Sequence, residues 1–524
     1  MNDRVVLAAG RQLQPNDRLT GAPDAGTRIT VGLYLKDPNE KPCRPGSAAD
    51  FAELDKVTTR EELRELRQAR YAEAAGEAER FAGQHGLEVT DVDFAKRRIR
   101  LTGTVDQMAA AFGTEFVGLR SSRRAFRSHL QPVGIPKSLA PWTRGVLGLD
   151  TRPRIRRKLR AFAVNAPATA GTSRWPGDIA RLYGIATTSR GAGQCIGIIA
   201  PGGGYLPDDL VLAAQHTGAP FPAITEVSVD LGRNKFSGGT LADQELALDL
   251  QVAGAVAPAA RLVVYFTDSS EQGLADAVLA AVHDDVNRPN VVSISWGASE
   301  LDWSSYQQAL DILSDALADA VRLGVVVTAA TGDMLATDAV DDGLVHVNFP
   351  ASSPYVLACG GSSILLAANG GAISSEVAWN DGNRGTGGGI SEVFDIPEYQ
   401  QGLAMPASLS TGKSGRGIPD VAAAAAELNG YRIVVNRKEV LQGGTSAVAP
   451  LWAAFVALIN AERGTAIRRI HPILYADRSQ FRGIVMGNNK MGSLGYDAGP
   501  GWNACAGLGA PLGAAILAKA TAVS

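Results

Sequence analysis

Gln442-Gly443-Gly444-Thr445-Ser446-Ala447-Val448-Ala449-Pro450 runs without interruption into Leu451-Trp452-Ala453-Ala454-Phe455-Val456-Ala457-Leu458-Ile459. Two glycines, two hydroxyl residues and then a long apolar run read as a turn that opens a buried helix. At such a start the backbone N–H groups have no intrahelical acceptor, and the helix dipole favours negative charge. A hydroxyl placed there can simply cap the helix. It can also act as a nucleophile whose developing oxyanion is met by those N–H groups. Which of the two applies depends on whether the rest of the chain supplies a base.

One candidate base lies on Asp243-Gln244-Glu245-Leu246-Ala247-Leu248-Asp249-Leu250-Gln251-Val252-Ala253-Gly254. Read as a helix, this stretch sets Glu245 and Asp249 one turn apart on one face. Leu246, Leu248, Leu250 and Val252 surround them with apolar surface. Like charges at this spacing repel and burial penalises ionisation, so at least one pKa is expected to rise. An exposed acidic face is the other reading. A third carboxylate, Asp333, follows the apolar run Gly324 to Ala330 through Thr331-Gly332, at a strand's carboxyl end where parallel sheets place their sites. It also reads as a turn residue after glycine. Ser293-Ile294-Ser295-Trp296-Gly297 ends a further strand and would bring Trp296 to the same crevice.

Between residues 194 and 359, apolar runs alternate with helical patterns. Cys195 to Ala200, Thr225 to Val229, Arg261 to Thr267, Val291 to Ser295, Val325 to Ala329 and Val356 to Cys359 each read as a strand buried on both faces. Helical patterns fall at about 207–217, 243–256, 273–287 and 304–323. The alternation predicts an α/β fold, a mostly parallel sheet with helices on both faces. Pro201-Gly202-Gly203-Gly204 lacks the spacing of a phosphate loop and reads as a turn. The Gly- and Asn-rich residues 369–389 read as surface loops.

The N-terminal part has another texture. Arg28 to Leu35, Leu87 to Val92 and Arg98 to Thr102 read as strands, with helices over Thr58 to His85 and Val105 to Phe112, a small α+β unit. It gives way to Arg152-Pro153-Arg154-Ile155-Arg156-Arg157-Lys158-Leu159-Arg160 and an Ala-, Pro- and Thr-rich run, the composition of a tether or a cleavable junction. No aromatic residues interleave these basic ones, which argues against nucleic acid. At 524 residues the chain is too long for a single core, and its net charge of −3 gives no reason to expect a polyanionic partner. Four cysteines without a CxxC pair (Cys43, Cys195, Cys359, Cys505) read as buried thiols. The six histidines (His85, His129, His216, His283, His346, His471) occupy no zinc-binding context. The N-terminus lacks a signal-peptide core and no run of 18 apolar residues occurs, so no membrane association and a cytoplasmic location are the default expectations. Export by another route would leave the same signature.

Together these stretches resemble the sedolisin family, the serine-carboxyl peptidases, and in particular its kumamolisin-like members. The likeness rests on Gln194 to Tyr205, Glu245 to Pro258, Val291 to Gly297, His346 to Gly361 and the GTSxxxP motif Gly443 to Pro450. It implies a subtilisin-like peptidase domain at 176–524, an inhibitory and folding-assisting pro-domain at 1–150 and a linker with a processing site at 151–175. It also implies Ser446 as nucleophile, Glu245 as general base, Asp249 as its orienting partner and Asp333 as oxyanion acid. These residue types fit acid conditions, because a glutamate base works at lower pH than histidine and an aspartate donates to an oxyanion only when protonated. Peptides or proteins would be the substrates, the pro-domain an intramolecular inhibitor and the chain a monomer. A non-catalytic binding protein of the same fold is the alternative.

The chain departs from the family at three places. The family's calcium site uses two aspartates and intervening backbone carbonyls; the matching stretches are Phe481-Arg482-Gly483-Ile484 and Ala498-Gly499-Pro500-Gly501-Trp502-Asn503, with Gly483 and Asn503 where the aspartates stand. No tightly bound calcium is therefore expected, and Asn503 could contribute only a weak neutral ligand. Met334-Leu335 follows Asp333 where the family has Ser-Gly. Ala200 replaces a glutamate that extends the acid network in some members, so a shorter proton network is expected.

Overall fold

The computed structural model describes residues 4–14, 16–39, 48–56, 58–121, 124–157, 173–304, 306–426 and 430–522. Cys43 and the part of the linker from 158 to 172 lie outside them.

In the N-terminal unit the strand β1 (Arg28–Leu35) is followed by α1 (Arg60–Gln84), β2 (Glu88–Asp93), β3 (Arg98–Thr104), α2 (Val105–Phe112) and β4 (Thr143–Leu147). The sheet order is β2-β3-β1-β4 and every neighbouring pair is antiparallel, a split βαβ arrangement. Both helices begin where the sequence provides a capping box, Thr59 with Glu62 and Thr104 with Gln107. Val31, Leu33, Leu101, Met108 and Phe112 fill the core between sheet and helices.

The larger unit is built on β5 (Cys195–Ala200), β6 (Ile224–Ser228), α3 (Leu241–Val256), β7 (Arg261–Phe266), α4 (Glu271–Val282) and β8 (Val291–Ile294). It continues with α5 (Gln307–Arg322), β9 (Val326–Ala330), β10 (Val356–Leu366), β11 (Ile373–Ala378), β12 (Val421–Ala424) and α6 (Thr445–Arg463). The strand order is β6-β7-β5-β8-β9-β10-β11, with β12 parallel to β10. From β6 to β10 all pairs are parallel; β11 is antiparallel. The expected parallel sheet is thus present, but β6 is a sheet edge with Thr225, Glu226 and Ser228 exposed and not a strand buried on both faces, and one other strand is longer than its sequence pattern. β10 runs on past Gly360-Gly361 to Leu366, beyond the expected stretch Val356 to Cys359. A Cβ on Gly361 would lie 2.7 Å from that of Ala425 and 2.9 Å from the Trp379 ring, so close approach of neighbouring elements, not strand termination, requires glycine here. The third helix, expected to reach 287, ends at Val282, where Asp284 turns the chain by accepting from the N–H groups of Val286 and Asn287.

Cys195, Cys359 and Cys505 are buried free thiols, as their apolar contexts indicated. Helix α6 is buried from Thr445 to Asn460. Its length and mean hydropathy of 1.3 match a membrane span, but 89% of it lies inside the protein. It packs on α3 and on β8, β9 and β10, so the serine-bearing turn is fixed by the centre of the fold. The N-terminal unit docks on α4 and α5 through ion pairs. Arg67 grips Asp319 at 2.6 and 2.8 Å, Arg98 and the Tyr34 hydroxyl donate to Asp276 at 2.8 Å, and Arg144 donates to Asp315 at 2.8 Å.

Candidate active site

Thr445 and Ser446 are the first two residues of α6, and Gly444 precedes them at φ +88°. Ser446 is fully buried and its hydroxyl oxygen has no hydrogen-bond partner among the described residues. A buried hydroxyl left unsatisfied in a native fold calls for an explanation. Pro450 lies four residues on, inside the helix, and has no N–H to donate to the Ser446 carbonyl. The Ser295 hydroxyl instead lies 3.4 Å from that carbonyl while donating to Asp249 Oδ1 at 2.7 Å. Proline in the GTSxxxP motif therefore opens the helix ladder at the serine, and Ser295 links the serine's backbone to the carboxylate pair.

Glu245 and Asp249 lie on one face of α3, at 0% and 1% exposure. The exposed acidic face is thereby excluded. Burial pushes the Asp249 carboxyl well above the usual carboxylate range; the charge of Glu245 adds to the rise and the Ser295 hydrogen bond opposes it. The start of α3 is anchored by Asp243, which accepts from the N–H groups of Gly204, Ser237, Gly239 and Thr240 and from the Thr240 hydroxyl. Pro201 to Gly204 is thus a turn lying against the helix start. A Cβ on Gly203 would lie 2.4 Å from the Ala242 carbonyl oxygen.

Asp333 is buried beyond the end of β9. Its Oδ1 accepts from both the N–H and the hydroxyl of Thr445, each at 2.8 Å, and Thr445 Oγ1 accepts from the Gly332 N–H at 3.1 Å. A Cβ on Gly444 would lie 2.2 Å from Asp333 Oδ2. The carboxyl is therefore packed over the turn just before Ser446. In the loop that follows, Leu335 is fully buried and adopts φ +58°, a left-handed conformation natural to the glycine the family has there. For leucine this costs about 1–2 kcal/mol. Leu335 N–H donates to the Gly385 carbonyl and Gly385 N–H to the Asp333 backbone carbonyl, so the loop is tied to the backbone that carries the carboxyl. Ala200 ends β5 in the core and adds no carboxyl.

Beside these groups lies a cleft of about 1620 Å³, lined by residues that include Gly202, Thr240, Asp268, Ser269 and Trp296. The last described part of the linker enters it: Arg154 and Ile155 N–H groups donate to Ser269 O at 3.0 Å. Arg156 and Arg157 then pair antiparallel with Gly297 and Trp296. This added strand leads toward Ser295. Ser295 and Asp243 carry no signal of these parts in their own sequence neighbourhoods, and Pro450 carries one only in its spacing of four from Ser446.

The histidines engage other groups. His85 packs on Phe81, His129 on Gln131 O, His216 on Trp175, His283 on Asp319, His346 on Asp342 and His471 on Val356 O. Among the described residues no group of three or more His, Cys, Asp or Glu could hold a metal ion. In the stretch resembling the family's calcium site the Asn503 amide bonds the Ile484 and Gly499 carbonyls.

Residues 237–491 match the subtilase family and residues 18–152 the pro-kumamolisin activation domain. Kumamolisin of Bacillus sp. (strain MN-32) is 38% identical over 98% of this chain and 96% of its own. Sedolisin of Pseudomonas sp. (strain 101) is 28% identical over 78% and 73%. In fold, the chain is similar to the structure of Pseudomonas sedolisin complexed with two molecules of pseudo-iodotyrostatin, with a TM-score of 0.61 at 24% identity, covering 67% of this chain and 99% of that one. With a likeness that spans nearly its whole length and an activation domain ahead of a subtilase-like fold, this chain belongs to the sedolisin family of serine-carboxyl peptidases.

Proposed function

We propose that the protein is an endopeptidase acting at acid pH through an acyl-enzyme, made as a zymogen that processes itself. The carrying observation is the buried Ser446 hydroxyl, which has no hydrogen-bond partner among the described residues, on a residue whose backbone carbonyl Ser295 links to Asp249 of the buried Glu245–Asp249 pair. In the reaction Ser446 Oγ attacks the peptide carbonyl carbon while Glu245 takes its proton. Asp249, protonated by virtue of its raised pKa, donates to Glu245 and keeps it oriented. The oxyanion is met by the Ser446 N–H and by neutral Asp333. Both Thr445 donors converge on Oδ1 of Asp333, and the proton donated to the oxyanion is assigned to Oδ2. Glu245 then returns its proton to the leaving amine as the C–N bond breaks, and water releases the acyl group by the same path.

A substrate held in the register of Arg156 and Arg157 along Trp296-Gly297 is led to Ser295 and so to the nucleophile. That the linker itself takes this place supports self-processing. On the far side, Arg174 bridges Tyr431, Arg432 donates from Nε to the Ser173 hydroxyl at 2.9 Å, and Trp175 stacks on His216. The cut is accordingly expected between residues 157 and 173.

The test is a pH–activity profile on a peptide library. Ser446→Ala is expected to abolish cleavage, and Glu245→Gln to lower kcat by about 100-fold or more with KM little changed. An activity maximum near pH 8, or full activity in Glu245→Gln, would overturn the assignment.

A further inference from the structure

We infer that the side-chain amide of Asn503 takes the structural place of a calcium ion, so that the C-terminal loops are clasped without metal. The stretch that resembles the family's calcium site contributes Gly483, Ile484, Gly499, Gly501 and Asn503. Calcium needs six to eight oxygens with carboxylate charge among them. Here Asn503 Nδ2 donates to the carbonyl oxygens of Ile484 at 3.0 Å and Gly499 at 2.9 Å, two of the oxygens that would face the ion. Asn503 Oδ1 in turn accepts from the N–H groups of Cys505 and Ala506, each at 3.1 Å. The amide thus spends both donors and both acceptor sites within the protein.

This fixes its orientation as well. Flipped, the oxygen would face two carbonyls and the nitrogen two N–H groups, so every one of the four contacts would turn repulsive. Asn503 is 8% exposed, which leaves water little access to replace these bonds. A second observation points the same way. The Arg478 guanidinium lies so close to Gly501 that a Cβ there would sit 3.0 Å from Nη1, and a fixed positive charge beside this loop disfavours a divalent cation.

An aspartate at this position would set a carboxylate oxygen against the Ile484 and Gly499 carbonyls, a cluster tolerable only with a cation between them. The amide nitrogen removes that need. Gly483, by contrast, has room: a Cβ there meets nothing nearer than 3.9 Å, so a side chain can be restored without a clash.

The experiment compares thermal unfolding at neutral pH in EDTA and in millimolar calcium chloride, with calorimetric titration of calcium alone. The full-length wild type is expected to melt at the same temperature in both and to show no micromolar binding. Asn503→Asp is expected to melt roughly 4–8 °C lower in EDTA, with calcium restoring part of the loss. The double variant Gly483→Asp/Asn503→Asp is expected to gain micromolar calcium binding. A wild-type melting point that falls in EDTA, or a micromolar calcium isotherm of the wild type, would overturn the inference. So would an Asn503→Asp variant as stable as wild type in EDTA. If Asn503→Asp does not fold in either medium, the wild-type measurements still decide.

Discussion

At the scale of single residues, the turn before the nucleophile leaves no room for substitution. Gly444 adopts φ +88°, and any Cβ on it collides with the carboxyl of Asp333. Two costs coincide, one in the backbone and one against a buried carboxyl that cannot retreat because Thr445 holds its other oxygen. Gly444→Ala is expected to destabilise the protein by roughly 1–3 kcal/mol and to lower kcat more than it raises KM. Urea unfolding and steady-state kinetics on the same preparation check both. A variant with normal kcat would mean that Asp333 tolerates displacement and is not aligned by this turn. Leu335 is the opposite case, a large residue kept in a left-handed conformation because its burial offsets the strain.

At the scale of elements, the site is assembled from the starts of two helices and the ends of two strands. Helix α3 carries the carboxylate pair, and one residue, Asp243, ties its first turn to the turn at Gly204 and to residues 237–240 just ahead of the helix. The Asp243→Ala variant forfeits five hydrogen bonds, four of them from backbone N–H groups. The expected loss is roughly 3 kcal/mol or more in urea unfolding, with a fall in kcat as the turn bearing Glu245 loosens. Asp243→Asn retains an acceptor and is expected to recover part of both. Equal losses in the two variants would show that charge, not acceptance, anchors the helix.

At the scale of the whole molecule, the docking of the N-terminal unit has a pH dependence that can be worked out from its ion pairs. Burial would raise Asp319, but Arg67 and Arg97 hold it well below the usual carboxylate range, with Arg322 at 3.4 Å and His283 at 3.1 Å. A depressed pKa gives stabilisation that is lost only as the pH falls below the ordinary value of about 3.9. Asp276 is likewise held low by Arg98 and Arg100 against its burial. Asp230 acts in the other sense: burial, and then the charge of Asp276, push it up to about 7. Burial keeps His283 below the usual imidazole range, so it opposes docking as the pH falls below about 6.5, while Asp319 and Asp276 stay ionised and paired. The cleaved N-terminal unit is thus expected to remain bound at pH 5 and to separate only below about pH 4. Size-exclusion chromatography across that range, with mass spectrometry to locate the cut between 157 and 173, tests this. Release at pH 5 or 6 would show that other groups control the interface.

The sequence by itself determined the fold class, because the parallel strands, the polar edge strand β6 excepted, are largely apolar runs that alternate with helical patterns. It also singled out Ser446, Glu245, Asp249 and Asp333, since a helix face, a strand end and a glycine turn are local patterns. Only the tertiary structure decided what surrounds them. Burial of the carboxylate pair depends on α6 packing against α3, and the use of Ser295 and Pro450 emerges only when a strand end meets the interrupted ladder of a distant helix. The length of β10 and the amide contacts of Asn503 were hidden for the same reason. A glycine or an asparagine carries in its own neighbourhood no record of which distant backbone will approach it.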